Sequence, residues 1–317
     1  MKYQLSHHSM RGSRPSNQDR VAVAERDNAV LMVLADGLGG HSGGALAAEI
    51  LTQTAVRMFR AVRQPVITKP SSFLALIIMH AHKTIIDVGM SHRPPITPRT
   101  TCVLCLVQNG YAYWAHIGDS RLYLFRGNQV VKRTRDHTFT EHLRNGGLLR
   151  DDEMSLHPEK SRLLKCVGGP FNPTISLGNE TLLFPGDILL LCSDGLWEAL
   201  KPPELLKFLQ FDALDEGIEE MLLAAEHKMK DNSDNLSAIS LRWQERLTTH
   251  LPLQAVAAHE ATQQSLWDDA AKTLVAQQTL AAPMTPATNP KPEPVKQSFD
   301  KTLEDLEEFI KRFEEKL

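Results

Sequence analysis

Residues 29–44 of this 317-residue chain read AVLMVLADGLGGHSGG, an apolar run that stops at Asp36-Gly37 and continues into clustered glycines. The run Ala29–Ala35 is rich in Val and Leu, which predicts a buried strand. Apolar residues recur at helical spacing over Ala45–Val62, so the glycines lead from a strand into a helix. Glycines in this place can cradle an anion at a helix start or supply flexible backbone beside a metal ion.

Two nucleotide-binding motifs share this order of strand, glycines and helix, but neither matches the residues. The cluster has no Gly-Lys-Ser/Thr, which a P-loop requires, and Ser42 stands where the dinucleotide fingerprint needs glycine. A second helical pattern over Phe73–Val88 follows the first, so a βαβ unit is not predicted. Conformational freedom beside a metal ion is therefore the better interpretation.

The segments on either side predict a mainly antiparallel arrangement. Val21–Ala24 forms a hairpin with the strand before Asp36. The dipeptides Asn109-Gly110 and Gly127-Asn128 are strong turn signals between downstream strands. We expect an antiparallel meander from four strands, Thr101–Gln108, Tyr111–Gly118, Arg121–Arg126 and Gln129–Thr134.

The polar stretch Asp136–Arg162 interrupts these strands and predicts a surface flap. Three more strands are predicted at Thr181–Phe184, Ile188–Cys192 and Ala238–Trp243, and two more helices at Pro203–Gln210 and Glu216–Lys230. Long helices combined with a mainly antiparallel sheet predict an α+β layered fold. We assign residues 1–245 to one domain.

Composition limits the classes of function. Hydrophobic residues make up 42% and charged residues 23% of the chain, as in ordinary globular proteins. The net charge of -3 gives no general polyanion-binding surface, so we expect no nucleic-acid partner. We find no signal sequence and no apolar stretch near the roughly 20 residues of a membrane span. We expect a cytoplasmic protein without a membrane partner.

Cys102 and Cys105 form a C-x-x-C pair, which is typical of zinc and redox sites. The pair lies inside the apolar run TTCVLCLV, which predicts a strand. Residues three apart on a strand point to opposite faces, so the two thiols do not converge. We expect both cysteines, and Cys192 in another apolar run, to be buried in the core.

The composition changes after residue 245. Glu260–Gln278 is rich in Ala and Gln and is compatible with a helix, and clustered prolines follow it, so we interpret residues 246–297 as a linker. Residues 298–317 carry a heptad seam, Phe299, Leu303, Leu306, Ile310, Phe313 and Leu317. This segment is either a helix for self-association or docking, or an amphipathic helix folded back on its own domain.

Four aspartates, Asp36, Asp119, Asp194 and Asp234, each follow an apolar strand or lie in a tight polar turn. Taken singly, each is compatible with an ordinary turn. Strand ends meet when strands share a sheet, and clustered carboxylates repel one another unless a cation neutralises them. Mg²⁺ and Mn²⁺ prefer oxygen ligands, and no nearby Cys/His pattern indicates zinc. The residues therefore predict a carboxylate-bound Mg²⁺ or Mn²⁺ site.

These segments resemble the motifs of the protein phosphatase 2C family in order and approximate spacing over residues 8–243. The matching motifs are Arg14-x-x-Asn17-Gln18-Asp19, Asp36-Gly37-Leu-Gly-Gly-His41, Thr100-Thr101, Gly118-Asp119-Ser120-Arg121, Thr134-x-Asp136-His137, Gly186-Asp187 through Asp194-Gly195, and Asp234-Asn235. The forms Asn-Gln-Asp and Asp-Gly-Leu-Gly-Gly are similar to the bacterial branch.

The resemblance implies a central antiparallel β-sandwich flanked by helix pairs, a four-layer α-β-β-α fold with a metal cluster in a cleft at one end. It implies hydrolysis of phosphoserine and phosphothreonine in proteins by metal-activated water, opposing a bacterial-type serine/threonine kinase. The implied cofactors are two or three Mn²⁺ or Mg²⁺ ions per chain.

The resemblance also implies a metal-ligand set, carried over from the matching motifs. Asp36 would bridge two metal ions, and the carbonyl of Gly37 would bind one of them. Asp194 and Asp234 would bind the other ion, and Asp119 would join Asp194 at a third.

The same match implies that Asp19 hydrogen-bonds to water of the metal cluster. Arg14 would bind the substrate phosphate, for which a guanidinium has suitable geometry. Together with Asp36, these two are the expected catalytic residues.

Several positions depart from the family pattern. Leu38 stands where animal members carry a histidine thought to be the general acid, which leaves the proton donor unassigned. His41 is either a substitute acid or a structural residue of the glycine loop. Arg99 replaces a glycine that usually precedes Thr-Thr, and Gln18 replaces a Glu of animal members. We expect His137 to be structural.

Two other functions remain open at this stage. One is a catalytically weak scaffold or regulatory binding module with the phosphatase fold. The other is a phosphoesterase acting on a small molecule. Retention of four clustered carboxylates argues against the scaffold, because buried like charges destabilise a protein that has no use for them.

Overall fold

The computed structural model describes residues 1–39, 42–154 and 156–245. The strands are β1 (Tyr3–Met10), β2 (Arg20–Arg26), β3 (Ala29–Ala35), β4 (Gly37–Leu38), β5 (Arg99–Thr100), β6 (Cys102–Gln108), β7 (Tyr111–Ile117), β8 (Arg121–Arg126), β9 (Gln129–Arg133), β10 (Ser176–Leu177), β11 (Thr181–Leu182), β12 (Ile188–Cys192) and β13 (Leu236–Trp243). The helices are α1 (Ser42–Ala61), α2 (Pro70–Ser91), α3 (Phe139–Asn145), α4 (Asp151–Met154), α5 (Asp194–Ala199), α6 (Pro202–Leu209) and α7 (Leu214–Met229).

The strands form two larger sheets and a short ribbon, all with antiparallel pairing. The order in one sheet is β1-β13-β12-β8-β9. The order in the other is β10-β7-β6-β3-β2, with β11 also paired to β7. The ribbon consists of β4 and β5, and β4 begins directly after Asp36.

Strand β3 shows how the layers are built, because all of its residues are buried. Leu31 and Val33 pack into the apolar cluster shared with α1 and α2, whereas Val30 and Met32 pack into the cluster between the two sheets. A third cluster joins β8, β12 and β13 to α5, α6 and α7. The result is the predicted four-layer α-β-β-α sandwich, which confirms the α+β fold class.

The C-x-x-C pair follows the same alternation. Cys102 is buried on the helix-facing side of β6, and Cys105 is buried between the sheets. Burial raises the pKa of the Cys102 thiol to about 12 and raises the pKa of the Cys105 thiol as well. The two thiols are therefore divided between opposite faces of the strand, as predicted.

The predicted meander is wrong as one continuous sheet. Hairpin β6–β7 lies in one sheet and hairpin β8–β9 lies in the other. The short link Gly118–Ser120 carries the chain across, and Gly118 has φ of 104°. Strand periodicity is the same in both arrangements, so the pattern of apolar residues does not distinguish a meander from two hairpins in facing sheets.

Several elements are missing from the sequence-based prediction. Strand β1 pairs with β13 along its whole length, from Tyr3 opposite Trp243 to Met10 opposite Leu236. Its sequence, YQLSHHSM, alternates only weakly, so the partner strand decides its structure. The helix α5 was also missed, because its six residues are too few for a helical period to show.

Helix α2 is long and apolar enough, by length and composition alone, to cross a membrane, with a mean hydropathy of 1.4. In this fold it packs on the sheet, and Leu74, Ile77 and Ile78 are completely buried in the adjoining apolar cluster. Its composition is therefore explained by burial within the protein.

Four predictions fall on positions outside the described residues. They are the helix Glu260–Gln278, the linker 246–297, the heptad segment 298–317 and the alternatives for His41. The division of the chain at residue 245 also remains a prediction.

We expect Gly118→Ala to be strongly destabilising. A Cβ at this position would lie 2.6 Å from the side chain of Thr101, on a backbone with φ of 104°. Strain and overpacking together should lower the free energy of unfolding by about 3 kcal/mol.

Gly127→Ala is the matched control, because Gly127 also has positive φ, at 57°, but has open space around it. Its cost should be about 1 kcal/mol. Chemical denaturation of both metal-free variants provides the comparison. If both substitutions lower the free energy of unfolding equally, the close approach to Thr101 contributes nothing to the cost of Gly118→Ala.

Candidate metal centre

One end of the sandwich gathers the turns that carry the predicted metal ligands. Asp36 follows β3, Asp119 lies between β7 and β8, Asp194 follows β12, and Asp234 precedes β13. The last residue of β12 lies opposite the first residue of β8 and close to the start of β13, so these ends meet. Asp19 precedes β2, whose first residue pairs with the last residue of β3. The fold therefore brings all five aspartates to one end.

Burial and mutual repulsion dominate the electrostatics of this cluster. Both effects raise the pKa of Asp36 and of Asp194 well above the ordinary value of 3.8. Burial raises the pKa of Asp19 to about 6, against the opposing effect of the nearby Ser237 and Ser193 hydroxyls and with a smaller increase from Asp234. Burial and the neighbouring Asp136 raise the pKa of Asp119 to about 7. A cation between the carboxylates would relieve the repulsion.

Three carboxylate oxygens in the cluster are buried without a hydrogen-bond partner in the described part of the chain. They are Oδ1 and Oδ2 of Asp19 and Oδ1 of Asp119. Unpaired buried oxygens are unfavourable, and oxygen donors of this kind are what Mg²⁺ and Mn²⁺ take as ligands or as acceptors from their waters. The residues present therefore fit the predicted cofactor.

The main chain of Asp36 is fixed by two threonines. Its carbonyl accepts hydrogen bonds from the Thr101 amide and the Thr100 hydroxyl, each at 2.8 Å, and its amide donates to Thr101 Oγ1 at 3.2 Å. Both threonines are completely buried. The Thr-Thr motif thus holds the backbone at the predicted bridging ligand.

Gly37 must be glycine because two backbone segments cross at its Cα. A Cβ there would lie 2.4 Å from the carbonyl carbon and oxygen of Gly44 and 2.9 Å from the carbonyl oxygen of Gln18. The first glycine of the cluster therefore permits close packing of the ligand turn against the start of α1.

Arg14 and Asp234 form an ion pair that the sequence did not predict. Arg14 Nε donates to Asp234 Oδ1 at 2.8 Å, and Arg14 Nη2 donates to Oδ2 at 2.6 Å. The arginine side chain is 59% exposed and the carboxylate 34%. The predicted phosphate-binding residue thus neutralises a predicted metal ligand at the mouth of the cluster.

Within the described ranges, no three Asp, Glu, His or Cys side chains already stand close enough together to hold a metal ion. Ions such as Mg²⁺ keep several waters and need few direct protein ligands.

Asn235 has a part in the site that sequence analysis missed. Its side-chain oxygen accepts from the Gln18 amide at 2.9 Å, and its Nδ2 donates to the carbonyls of Arg11 and Ser16 at 2.8 and 3.0 Å. These bonds hold the loop that carries Arg14. The Asp-Asn motif contained this signal, but nothing in the sequence shows which loop the amide binds.

Leu38 and Arg99, two of the positions that depart from the family pattern, lie directly opposite each other in the β4–β5 ribbon. Arg99 has no positive φ, so the arginine is accommodated in a regular strand in place of the family's glycine. Leu38 is half-buried and has no titratable group, so the structure assigns no proton donor at this position.

His137 lies behind the ligand turn. Its Nδ1 accepts from the Gly118 amide at 3.1 Å, and its Nε2 lies 2.8 Å from Ser176 Oγ. Burial, with smaller contributions from His116 and Lys165, lowers the pKa of His137 to about 3. A neutral imidazole with both nitrogens in hydrogen bonds agrees with the predicted structural role.

The predicted surface flap is wrong at its first residue. Asp136 is buried and forms a two-bond ion pair with Arg121, at 2.9 and 2.6 Å. The segment after it carries α3 and α4, and exposed Leu148 and Leu156. A polar residue next to a strand does not reveal whether its charge faces solvent or a buried arginine, and this is why the boundary was misplaced.

Buried carboxylates with unpaired oxygens, gathered at the ends of several strands, define the centre of a metal-dependent hydrolytic enzyme. The chain belongs to the protein phosphatase 2C family, whose sequence profile matches residues 6–232.

Two curated relatives illustrate the likeness. A protein phosphatase 2C-type protein of Streptococcus pyogenes is 28% identical over 228 residues, covering 71% of this chain and 90% of that protein. Protein phosphatase PhpP of Streptococcus pneumoniae is 30% identical over 193 residues, covering 61% of this chain and 78% of PhpP.

Solved structures share the fold. The serine/threonine phosphatase of S. agalactiae superposes with a TM-score of 0.71 at 25% identity, covering 77% of this chain and 100% of that one. The catalytic domain of the phosphatase PstP, solved in complex with two manganese ions, superposes with a TM-score of 0.63 at 24% identity, covering 77% and 99%.

The raised pKa values predict that Mn²⁺ stabilises the protein more at higher pH. Below pH 3.8 the carboxyls of Asp19 and Asp119 are protonated in the folded and in the unfolded protein. The stability that these protons provide to the folded protein is lost as pH rises through the folded-state pKa values of about 6 and about 7. Mn²⁺ competes with these protons, so each proton displaced should add about 1.4 kcal/mol of binding per pH unit.

Melting temperatures with and without saturating Mn²⁺, measured from pH 5 to 8, test this expectation. The Mn²⁺-induced increase should grow by roughly 2–4 °C per pH unit and per proton released. Buried histidines contribute equally to the melting temperatures with and without Mn²⁺. The difference between these two temperatures therefore reports on the carboxyls. An increment that does not change with pH would show that the aspartates are ionised before the metal binds.

Proposed function

We propose that this chain hydrolyses phosphoserine and phosphothreonine in proteins and opposes a bacterial-type serine/threonine kinase. The observation that carries this proposal is the cluster of buried and half-buried, mutually repelling aspartates at one end of a protein phosphatase 2C sandwich. The family and the named relatives, which are serine/threonine protein phosphatases, support the reaction class.

The proposed cofactors are two or three Mn²⁺ or Mg²⁺ ions. The PstP complex, with its two manganese ions, supports this class of metal. Bound there, the ions would lower the pKa of water and offset charge on the phosphoryl oxygens. We assign Asp36 as the bridging ligand, the Gly37 carbonyl to one ion, Asp194 and Asp234 to the other, and Asp119 with Asp194 to a third.

The remaining residues act on water and substrate. Asp19, whose two buried oxygens have no hydrogen bond of normal geometry in the described chain, is the acceptor that orients water. Arg14 lies at the exposed rim, and its planar fork suits two phosphate oxygens. Its pairing with Asp234 holds the guanidinium beside the aspartate cluster.

Partners and location follow from this chemistry. A phosphoprotein is the substrate class, and a cognate kinase supplies it. We propose a cytoplasmic location. The heptad segment 298–317 is proposed for self-association or docking and is not required for the reaction.

We expect Asp194→Ala to abolish turnover, because Asp194 is assigned to two ions. Hydrolysis of p-nitrophenyl phosphate and of a phosphothreonine peptide should require Mn²⁺ or Mg²⁺, stop with EDTA, and fall at least about a hundredfold in the variant. Asp27→Ala is the control, because Asp27 is an exposed aspartate in the turn at the far end of the β2–β3 hairpin.

The alternatives give different results in the same assays. A folded wild type that binds Mn²⁺ but turns over neither substrate would be a scaffold. Turnover of small esters without turnover of any phosphopeptide would indicate a small-molecule phosphoesterase.

We also expect a chain ending at residue 245 to keep full activity on p-nitrophenyl phosphate, since the described aspartates and their supports all precede that residue. Comparing kcat and KM with those of the full chain measures this. Loss of activity with loss of the folded state would place residues 246–317 within the catalytic domain.

A further inference from the structure

Asp119 lies in the link Gly118–Ser120 that carries the chain from one sheet to the other. These three residues do not belong to a strand and make no strand-to-strand hydrogen bonds of their own, so contacts with other elements must hold the link in place. The hydroxyl of Ser120 lies 2.7 Å from the hydroxyl of Thr101, and the backbone amide of His137 donates to the Gly118 carbonyl at 2.9 Å. These bonds secure the two neighbours of Asp119 but not Asp119 itself.

Trp197 holds Asp119 directly. Its indole Nε1 donates to the Asp119 carbonyl oxygen at 2.9 Å, and in the described residues this is the side-chain hydrogen bond found for Trp197. The carboxylate of the same aspartate is buried, and its Oδ1 has no partner there. A single indole bond therefore fixes the backbone behind a carboxylate that is open to a cation.

The position of Trp197 in α5 links two predicted ligands. Asp194 is the first residue of this helix, and Trp197 is three residues later, so the two lie on the same side one turn apart. The helix consequently carries one ligand itself and restrains Asp119 through the indole. Both predicted ligands are thus connected to the same helix.

The indole is itself held in place. The guanidinium carbon of Arg121 lies 3.4 Å from the centre of the Trp197 ring, which is a close cation–π stack. Arg121 in turn makes two hydrogen bonds to Asp136 and one to Tyr123 Oη, at 2.6 to 2.9 Å. The side chains of Arg121 and Asp136 are only 12% and 4% exposed. Because these bonds restrain the guanidinium, they also restrain the ring stacked on it.

We propose that Trp197 is a positioning residue for the metal centre: its indole N–H, oriented by the buried Arg121–Asp136 pair, holds Asp119 where its carboxylate and that of Asp194 take a divalent cation together. The inference rests on the proposed function in one respect, the assignment of Asp119 as a metal ligand. A purely apolar packing role would be served equally by phenylalanine, which has no N–H.

The experiment is a calorimetric Mn²⁺ titration of the metal-free full-length chain, for wild type and Trp197→Phe. We expect the sites that do not involve Asp119 to be unchanged and the site that does involve it to weaken about tenfold, as for other residues that orient a metal ligand. The Mn²⁺ concentration for half-maximal p-nitrophenyl phosphate turnover should rise by the same factor, with kcat recovered at saturating Mn²⁺.

Trp243→Phe is the matched control. Trp243 is buried, whereas Trp197 is half-buried, and the Nε1 of Trp243 has no partner in the part of the chain that is described, so its replacement removes an indole N–H without touching Asp119. Its Mn²⁺ titration should equal that of wild type. Arg121→Lys, which loses the flat stack and the two-bond pair, should weaken the same site as Trp197→Phe.

Asp119→Asn identifies the site and completes a double-mutant cycle. Adding Trp197→Phe to Asp119→Asn should have no further effect on Mn²⁺ binding if the indole acts only through Asp119. A Trp197→Phe titration equal to wild type, or one in which every site weakens equally, would overturn the proposal. So would an Asp119→Asn titration equal to wild type.

Failure of the proposed function would look different. In that case the wild type would turn over no phosphoester at saturating Mn²⁺, whatever the titrations of the variants show. Selective weakening of one site by Trp197→Phe in an inactive protein would support the positioning role and count only against the phosphatase reaction.

Discussion

Asp36 has four other carboxyls near it, those of Asp194, Asp19, Asp119 and Asp234, and its own side chain is only partly exposed to solvent. Their repulsion and the loss of hydration together make the ionised cluster unfavourable on its own. The cluster is relieved either by protons, which the raised pKa values of these carboxyls retain, or by a cation at the same place. The affinity for a cation therefore comes from the arrangement of the protein itself.

The surrounding residues can be understood as ways of holding these carboxyls together despite their repulsion. Buried threonines fix the backbone of Asp36, and Asn235 fixes the loop that brings Arg14 to the rim. Trp197 fixes the backbone of Asp119. Each of these restraints acts on the main chain, so the carboxylate oxygens of Asp36 and Asp119 stay available. Local polar chemistry thus maintains a geometry that electrostatics alone would disperse.

The fold was largely predictable because buried strands and amphipathic helices have distinct periods. The all-buried β3 and the long helices α1 and α2 were predicted within a few residues of their ends. The sheet assignment after Ile117 was not, because the crossing at Gly118 depends on close packing against Thr101. Strand β1 was missed because its pairing with β13 joins opposite ends of the domain, and no local pattern records such a partner.

The site divides in the same way. By itself the sequence determined which residue types stand at the strand ends: aspartates after apolar runs, glycine where the backbone must pass closely, and motifs that match one family. Only the tertiary structure decided that Arg14 pairs with Asp234, that Asp136 is buried against Arg121, and that Trp197 reaches Asp119. Strand and turn signals arise from contacts between neighbours in sequence, whereas these pairs join residues 15 to 220 positions apart. Their partners are set by how the two sheets and α5 pack.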